Sequence, residues 1–433
     1  MLKKIFYIFL LFISIKAVGQ RTNSSPYSFF GIGEQYNSQT VEQASMGGVG
    51  LAYTNQYHLN FLNPASNSNL RFATYSFGAN VNDLTIKDSS GSPQRSTSTS
   101  LSYINIGFPV GKRAGVSFGL KPNTSVGYSL FNVENDTNGD PVEGTRFYGS
   151  GGTSKLYGAF GISVTKNLSL GIEGEFVFGK TENNILSQRV GSHLGTKNIE
   201  SAIVRGNGLT LGLLYNKELA DELIVNIGAT LKFGNSLNTK GSEYLYSVLI
   251  ATNTSESPRD TLYSNTVNGS IKYPIKTGLG IGLGKTNKWF AGIDYIFQES
   301  LNIEGSILTN NSTYSYGKSN RISVGGFYLP KVNSISSYWE RVTYRAGLRV
   351  ENTGLLINNS SSNGDFTEIK DFGISFGLGL PLSGLSNLNL GLEYGKKGTA
   401  AKNLIQENYF NVKLSLSLNA IGNLAWFRQR KIE

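Results

Sequence analysis

The chain of 433 residues offers little for bond-making chemistry. Its only histidines are His58 and His193, far apart in sequence, and it has no cysteine. Those two residue types supply most zinc sites, so a metal centre is not expected. Gly284-Lys285-Thr286 imitates the end of a phosphate-binding loop, but the position that should hold its first glycine is Leu279. Gly278, Gly280 and Gly282 alternate with apolar residues and read instead as close packing along a strand. No G-x-S-x-G elbow sits on a strand-to-helix turn. No enzyme and no cofactor are expected.

Three other groups of residues carry possible function. The first is a set of charges of both signs: Glu173, Glu175, Lys232, Asp294, Arg345, Arg349, Glu393 and Lys413. Each lies in the polar phase of an alternating stretch. Paired with one another, they would fill and rigidify an enclosed space. Otherwise they would contact cargo or tether a neighbouring segment. The second group is Met46, Gly47 and Gly48, leading to Asn63, Pro64 and Ala65, in an apolar, glycine-rich stretch with no sustained period. So many glycines do not belong in a helix interior. Leu59, Phe61 and Leu62 are too apolar for a free linker. This stretch reads as a plug inside a barrel, or as an irregular segment buried under an ordinary sheet. The third is Gly119, Lys121, Pro122 and Asn123. Proline lacks the N–H for a ladder bond. It marks either a bulge near a loop or a kink that opens the wall.

The elements that position these groups are strands. From Arg71 onward side chains alternate with period 2. Phe372, Ile374, Phe376, Leu378 and Leu380 alternate with Gly373, Ser375, Gly377 and Gly379; Phe410, Val412, Leu414, Leu416 and Leu418 alternate with Asn411, Lys413, Ser415 and Ser417. A soluble sandwich also alternates, but its outer face carries long charged residues. Here the polar face is mostly Gly, Ser, Thr and Asn, which suits a confined lumen. In the best windows the apolar face runs uncharged for about nine residues, the length that crosses a bilayer as a tilted strand. Only 16% of the chain is charged and only 39% hydrophobic, a pairing awkward for a soluble globule and natural for a barrel.

Fourteen strands are predicted, at 71–85, 97–109, 113–131, 152–164, 168–182, 203–216, 222–238, 267–284, 289–299, 313–329, 341–354, 367–380, 387–395 and 405–419. Their connections alternate short and long, with 330–340 an exception, as the two ends of an outer-membrane barrel do. Both termini then fall on the short-turn, periplasmic side. Tyr and Trp near strand ends fit an interfacial girdle. The expected class is therefore all-β: a fourteen-stranded antiparallel transmembrane barrel at 71–419, with an N-terminal lead-in and plug at 20–70 and a basic periplasmic tail at 420–433.

The start of the chain reads as an export signal, residues 1–19. It has a basic Lys3-Lys4, an apolar run from Ile5 to Ile15 too short to span a bilayer, and Ala17-Val18-Gly19 as the cleavage site. Formal charge is +10 with the leader. It is about +7 without Lys3, Lys4 and Lys16. That charge is too dispersed for nucleic acid and suits anionic lipid head groups.

Taken together, this architecture, with Met46-Gly47-Gly48-Val49-Gly50, Asn63-Pro64-Ala65 and a distorted third strand, resembles the FadL-type outer-membrane transporters. Ser25-Pro26-Tyr27-Ser28-Phe29-Phe30-Gly31-Ile32-Gly33 is similar to their Bacteroidota branch. The likeness covers nearly the whole mature chain in architecture, and residues 25–66 and about 118–128 in motif. It implies passive uptake of fatty acids or other hydrophobic small molecules, with lateral release into outer-membrane lipid through the third strand. No ligand-contacting residue carries over. Bacteroidota barrels of this type also serve as non-transporting scaffolds, in type IX secretion or barrel-assembly complexes. The alternative partners are therefore other outer-membrane subunits.

Overall fold

The structure is a computed structural model, and it describes residues 23–88, 93–219, 222–250, 256–305, 308, 313–358, 365–382 and 386–420. The proposed leader and all of the tail beyond Ala420 lie outside them. Fourteen strands follow one another around the wall: β1 (Ala73–Lys87), β2 (Gln94–Val110), β3 (Ala114–Asn135), β4 (Pro141–Ser163), β5 (Leu168–Arg189), β6 (Leu194–Glu218), β7 (Leu223–Lys232), β8 (Lys276–Lys285), β9 (Trp289–Gln298), β10 (Ser319–Tyr328), β11 (Thr343–Asn358), β12 (Phe366–Pro381), β13 (Asn387–Gly398) and β14 (Gln406–Ala420). Every neighbouring pair is antiparallel. β14 closes on β1 from Gln406↔Lys87 to Ala420↔Ala73. A closed ladder leaves no sheet edge in hydrocarbon, which is the condition for strands to cross a bilayer.

The alternating pattern becomes two faces. On β14, Phe410, Leu414 and Leu418 are exposed while Ser415 and Ser417 are buried. On β8, Leu279, Ile281 and Leu283 point out while Gly278, Gly280 and Gly282 line the inside. The apolar side chains thus form the outer surface, the inverse of a soluble core.

Several predicted loops at the long-connection end prove to be strand. β3 and β4 stay paired up to Asn135↔Pro141, and β5 and β6 up to Ser187↔Thr196. The region read as a loop at 239–266 belongs to a hairpin of Asn235–Ile250 and Glu256–Tyr273. Its first arm pairs with the upper half of β6, from Leu194 to Arg205. The predicted strands 222–238 and 267–284 each merge two elements, and in the second the break falls at Pro274. These extensions are rich in Ser, Thr and Asn on both faces. They lack the apolar outer face that marks a strand in lipid.

The segment 23–72 lies inside the barrel. It begins at the long-connection end, where the Tyr27 hydroxyl bonds the Ile405 carbonyl and Ile32 packs with Leu237, Ile271 and Leu301. It then descends to the short-turn end, where β1 starts. The first described residue, Asn23, donates from its side chain to the Ser125 carbonyl of β3. A helical turn at Val41–Ala44 is closed by a Thr40/Gln43 capping box, and Pro64–Asn69 forms a 3-10 turn capped by Asn63.

Candidate functional site

The inner segment meets the wall on every side. Met46 is fully buried and packs with Val49, Tyr53 and Phe290. The Gly47 amide donates to Ser375 Oγ at 2.8 Å. Gly47 has φ +68°, and a Cβ there would meet the Leu348 backbone at 2.6 Å, so both conformation and space require glycine. Gly48 also has positive φ and lies over Gln39. Asn63 binds the Leu51 and Leu213 carbonyls through Nδ2, while its Oδ1 accepts the Ala65 amide. Pro64 and Ala65 lie against Gly171 and Gly161 of the wall, where a Cβ on Gly171 would collide with Ala65. Asp294, 1% exposed, accepts the amides of Gly50 and Leu51 at 2.7 and 2.8 Å. A carboxylate fixed to two backbone donors is a strong tether in a confined site.

The wall is not uniform. β2 and β3 pair only from Val110↔Ala114 to Ile104↔Leu120. Above that level the two strands diverge. β2 carries an extra residue, Ser102, between its pairs with Gly78 and Ala79 of β1. β3 carries an extra residue, Asn123, between its pairs with Ser154 and Thr153 of β4. Two bulges just above the last shared pair, one on each strand, bend the strands apart. Pro122 withholds a donor at the same point. The fork encloses about 520 Å³, lined by Leu101, Leu120, Pro122, Val126 and small polar residues, with Tyr36 at its inner side. The inner segment covers the freed edge of β3. Glu34 and Gln35 pair with Ser125 and Thr124, the Tyr36 amide donates to the Asn123 carbonyl at 2.9 Å, and Ser28 Oγ accepts the Gly127 amide at 3.0 Å.

The eight predicted charges all face inward, in two networks and two separate positions. Arg349 bonds Glu393, Glu351 and Asp371 at 2.9–3.1 Å, and Lys413 holds the other oxygen of Glu393 at 2.6 Å. Glu175 is held by Lys155 at 3.6 Å and by Lys232, and Glu173 pairs with Lys121 at 3.5 Å. Asp294 serves the inner segment. Arg345 donates to Asn389, which also binds Glu42 of that segment. Lys121 is placed by sequence at the wall opening, but its side chain is 2% exposed and turns inward. Its Nζ lies 3.6 Å from the Tyr157 ring centre.

Sequence reasoning missed Glu34, Tyr36, Ser102, Lys276, Arg321 and Lys397. Arg321 had a signal, since it alternates with the exposed Ile322 and Val324. Glu34 had none: it bonds Lys397 at 2.6 Å across 363 residues. Burial pushes the Glu34 carboxyl up, but Lys397 and Asn23 outweigh it and hold it below its ordinary range. His58 lies buried with Asn387 3.3 Å from Nε2, and burial lowers its imidazole to about 4, which leaves it neutral.

Comparison with known proteins follows the same lines. Solved structures with this fold include a toluene transporter TodX of P. putida (TM-score 0.58, 16% identity, covering 90% of this chain and 100% of that one). A Pseudomonas aeruginosa FadL homologue matches with TM-score 0.55 and 13% identity, covering 89% and 98%. The CymD monoaromatic hydrocarbon channel matches with TM-score 0.52 and 15% identity, covering 91% and 99%. At these identities the likeness establishes the fold, a FadL-type barrel. No curated protein matches the chain. The family model described as BamG matches residues 1–433, the full length. This chain, a closed fourteen-stranded barrel threaded by its own N-terminal segment, belongs to the BamG family.

Proposed function

We propose that this protein is an outer-membrane barrel that passes hydrophobic small molecules, fatty acids among them, sideways into the bilayer through the β2–β3 fork. The fork carries the reading: a purely structural wall has no need of two strands bent apart at one level. Residues 20–70 act as the lead-in and plug. Met46, Gly47, Gly48, Asn63, Pro64 and Ala65 fix it to the wall, and Glu34–Tyr36 form the inner leaf of the gate. The remaining contributors are Gly119, Lys121, Pro122 and Asn123 at the kink. The leader 1–19 directs export, and the tail 420–433 stays in the periplasm. Purified protein in liposomes should speed transfer of labelled oleate or toluene, and a folded variant lacking 34–40 should be faster still. Equal rates for protein-free and protein-containing liposomes would reject the reading. For orientation, a protease site after Asn138 should be cut on intact cells and one after Lys166 should not.

One observation favours a second reading, a scaffold within an outer-membrane assembly. Two chambers among the described residues inside the barrel are small, about 140 and 180 Å³, and mix charged, amide and hydroxyl side chains with fewer apolar ones. Neither chamber offers an apolar solute a wholly apolar lining. Isolation in mild detergent separates the two: a monomeric barrel carrying lipid fits transport, and a stable hetero-complex fits the scaffold.

A further inference from the structure

The chamber of about 140 Å³ beside residues 35–38 has an unbalanced charge. Its lining holds five cations, Lys121, Lys155, Lys232, Lys276 and Arg321, against two carboxylates, Glu173 and Glu175. Three of the lysines are bridged to those carboxylates. Lys276 and Arg321 have no ion pair among the described residues. Arg321 is 5% exposed, and its one polar partner among the described residues is Gln39, whose amide, turned so that its oxygen faces the guanidinium, accepts from the two terminal nitrogens at 3.0 and 3.3 Å. The carboxylates around Arg321 make their bonds to other groups and none forms an ion pair with it among the described residues. Glu351, directly opposite on β11, is bonded to Arg349 and Asn37; Asp294 takes the amides of Gly50 and Leu51. Lys276 is the register partner of Lys232, so two like charges face each other on adjacent strands. Such a pair is destabilising in isolation, and so is a buried guanidinium that no carboxylate bonds. A bound anion removes both penalties.

We propose that this chamber binds a phosphate-class oxyanion, held by the Arg321 fork and by Lys276 and Lys232. Arginine presents paired N–H donors that match tetrahedral oxyanions, and the two lysines add point charges. Thr210, Thr230 and Gln298 in the same lining supply neutral partners. The chamber meets the fork at Tyr36 and Lys121, which line both. The anion therefore has two sources: free phosphate, or a lipid phosphate entering from the bilayer. The site does not depend on whether solutes cross the fork.

Titration calorimetry on the full-length protein, stripped of phosphate in neutral detergent at low salt, tests this. One inorganic phosphate or one dihexanoyl phosphatidic acid should bind per chain. Binding should weaken about tenfold or more in Arg321→Gln and in Lys276→Gln, each of which removes a charge-assisted contact. The exposed Lys318→Gln should leave it unchanged. If the lipid competes with phosphate and binds tighter, the source is a head group; if phosphate alone binds, the source is the free ion. Should Arg321→Gln fail to fold, Arg321→Lys keeps the charge, loses the paired donors and is expected to bind about tenfold more weakly. No saturable binding of either ligand, equal displacement by chloride, or full binding in the folded variants would overturn the proposal.

Discussion

The two edges of β3 share one backbone and end differently. Toward β4 the ladder runs from Ala114 to Asn135 and absorbs the extra residue Asn123 without breaking. Toward β2 it stops at Leu120. Proline alone does not explain this, because Pro122 keeps its place opposite Ser154 on the β4 side. The difference lies in the neighbour. β4 follows the bend of β3, whereas β2 has its own bulge at Ser102 and bends away. A barrel tolerates such a break only if the freed backbone is satisfied. Here the chain's own N-terminal segment supplies the partner strand at Glu34–Gln35. The comparison teaches that a fork in a closed sheet takes a bulge on each of the two strands and a further strand to cover the freed edge.

The largest test contrasts sealed and forked wall along one cross-strand row, Leu414–Ala79–Leu101. Leu414→Arg, facing lipid between two complete ladders, should cost roughly 2–4 kcal/mol and block stable insertion. Leu101→Arg, beside the fork, should cost clearly less, because Ser100, Thr124 and Ser125 give its head polar neighbours. Heat-modifiable mobility of the folded barrel reads both, and equal losses would break the distinction between the two walls.

A smaller effect separates tether from wall. Asp294→Ala strips two buried amides of their acceptor, at about 1–3 kcal/mol each, while Asp294→Asn keeps one oxygen and should lose less. Loosening should appear as faster hydrogen exchange at Gly50 and Leu51 and as higher conductance in planar bilayers. The barrel itself should stay folded. Unchanged exchange in Asp294→Ala would show that the tether is dispensable.

The smallest expected effect is at the proline. Pro122→Ala restores a single donor but leaves the Ser102 and Asn123 bulges in place. Amides of β2 from Ser96 to Tyr103 should therefore remain as exchangeable as before. Full protection there would mean that proline alone holds the fork open.

These contrasts also show what was legible in the sequence. The fourteen strands and their inward and outward faces follow from side-chain alternation, because lipid demands an apolar face wherever a strand crosses it. The same rule fails above the membrane. Asn235–Ile250 and Glu256–Tyr273 are strands with no lipid to face, so their Ser, Thr and Asn read as loop. Pro122 was visible as a disruption. Ser102 was not, since a bulge residue of ordinary type leaves no mark. Inward charges were legible by phase, but their partners were not: Arg349 meets Asp371 and Glu393 only because β11, β12 and β13 are adjacent. Ser415 illustrates the limit of a two-face reading. It faces the lumen but is 3% exposed beside Asn389, so a long side chain has no room there. Asn82, by contrast, lines a chamber of about 180 Å³.

The central claim is that the fork passes solute only when Glu34–Gln35 leaves the edge of β3. Gln35 and Thr124 are register partners, close enough for a disulfide, and the natural chain has no cysteine to interfere. Transfer of labelled oleate into liposomes should stop in oxidised Gln35→Cys/Thr124→Cys and return on reduction. Full transfer through the oxidised protein, with the cross-link verified on every chain, would contradict the account.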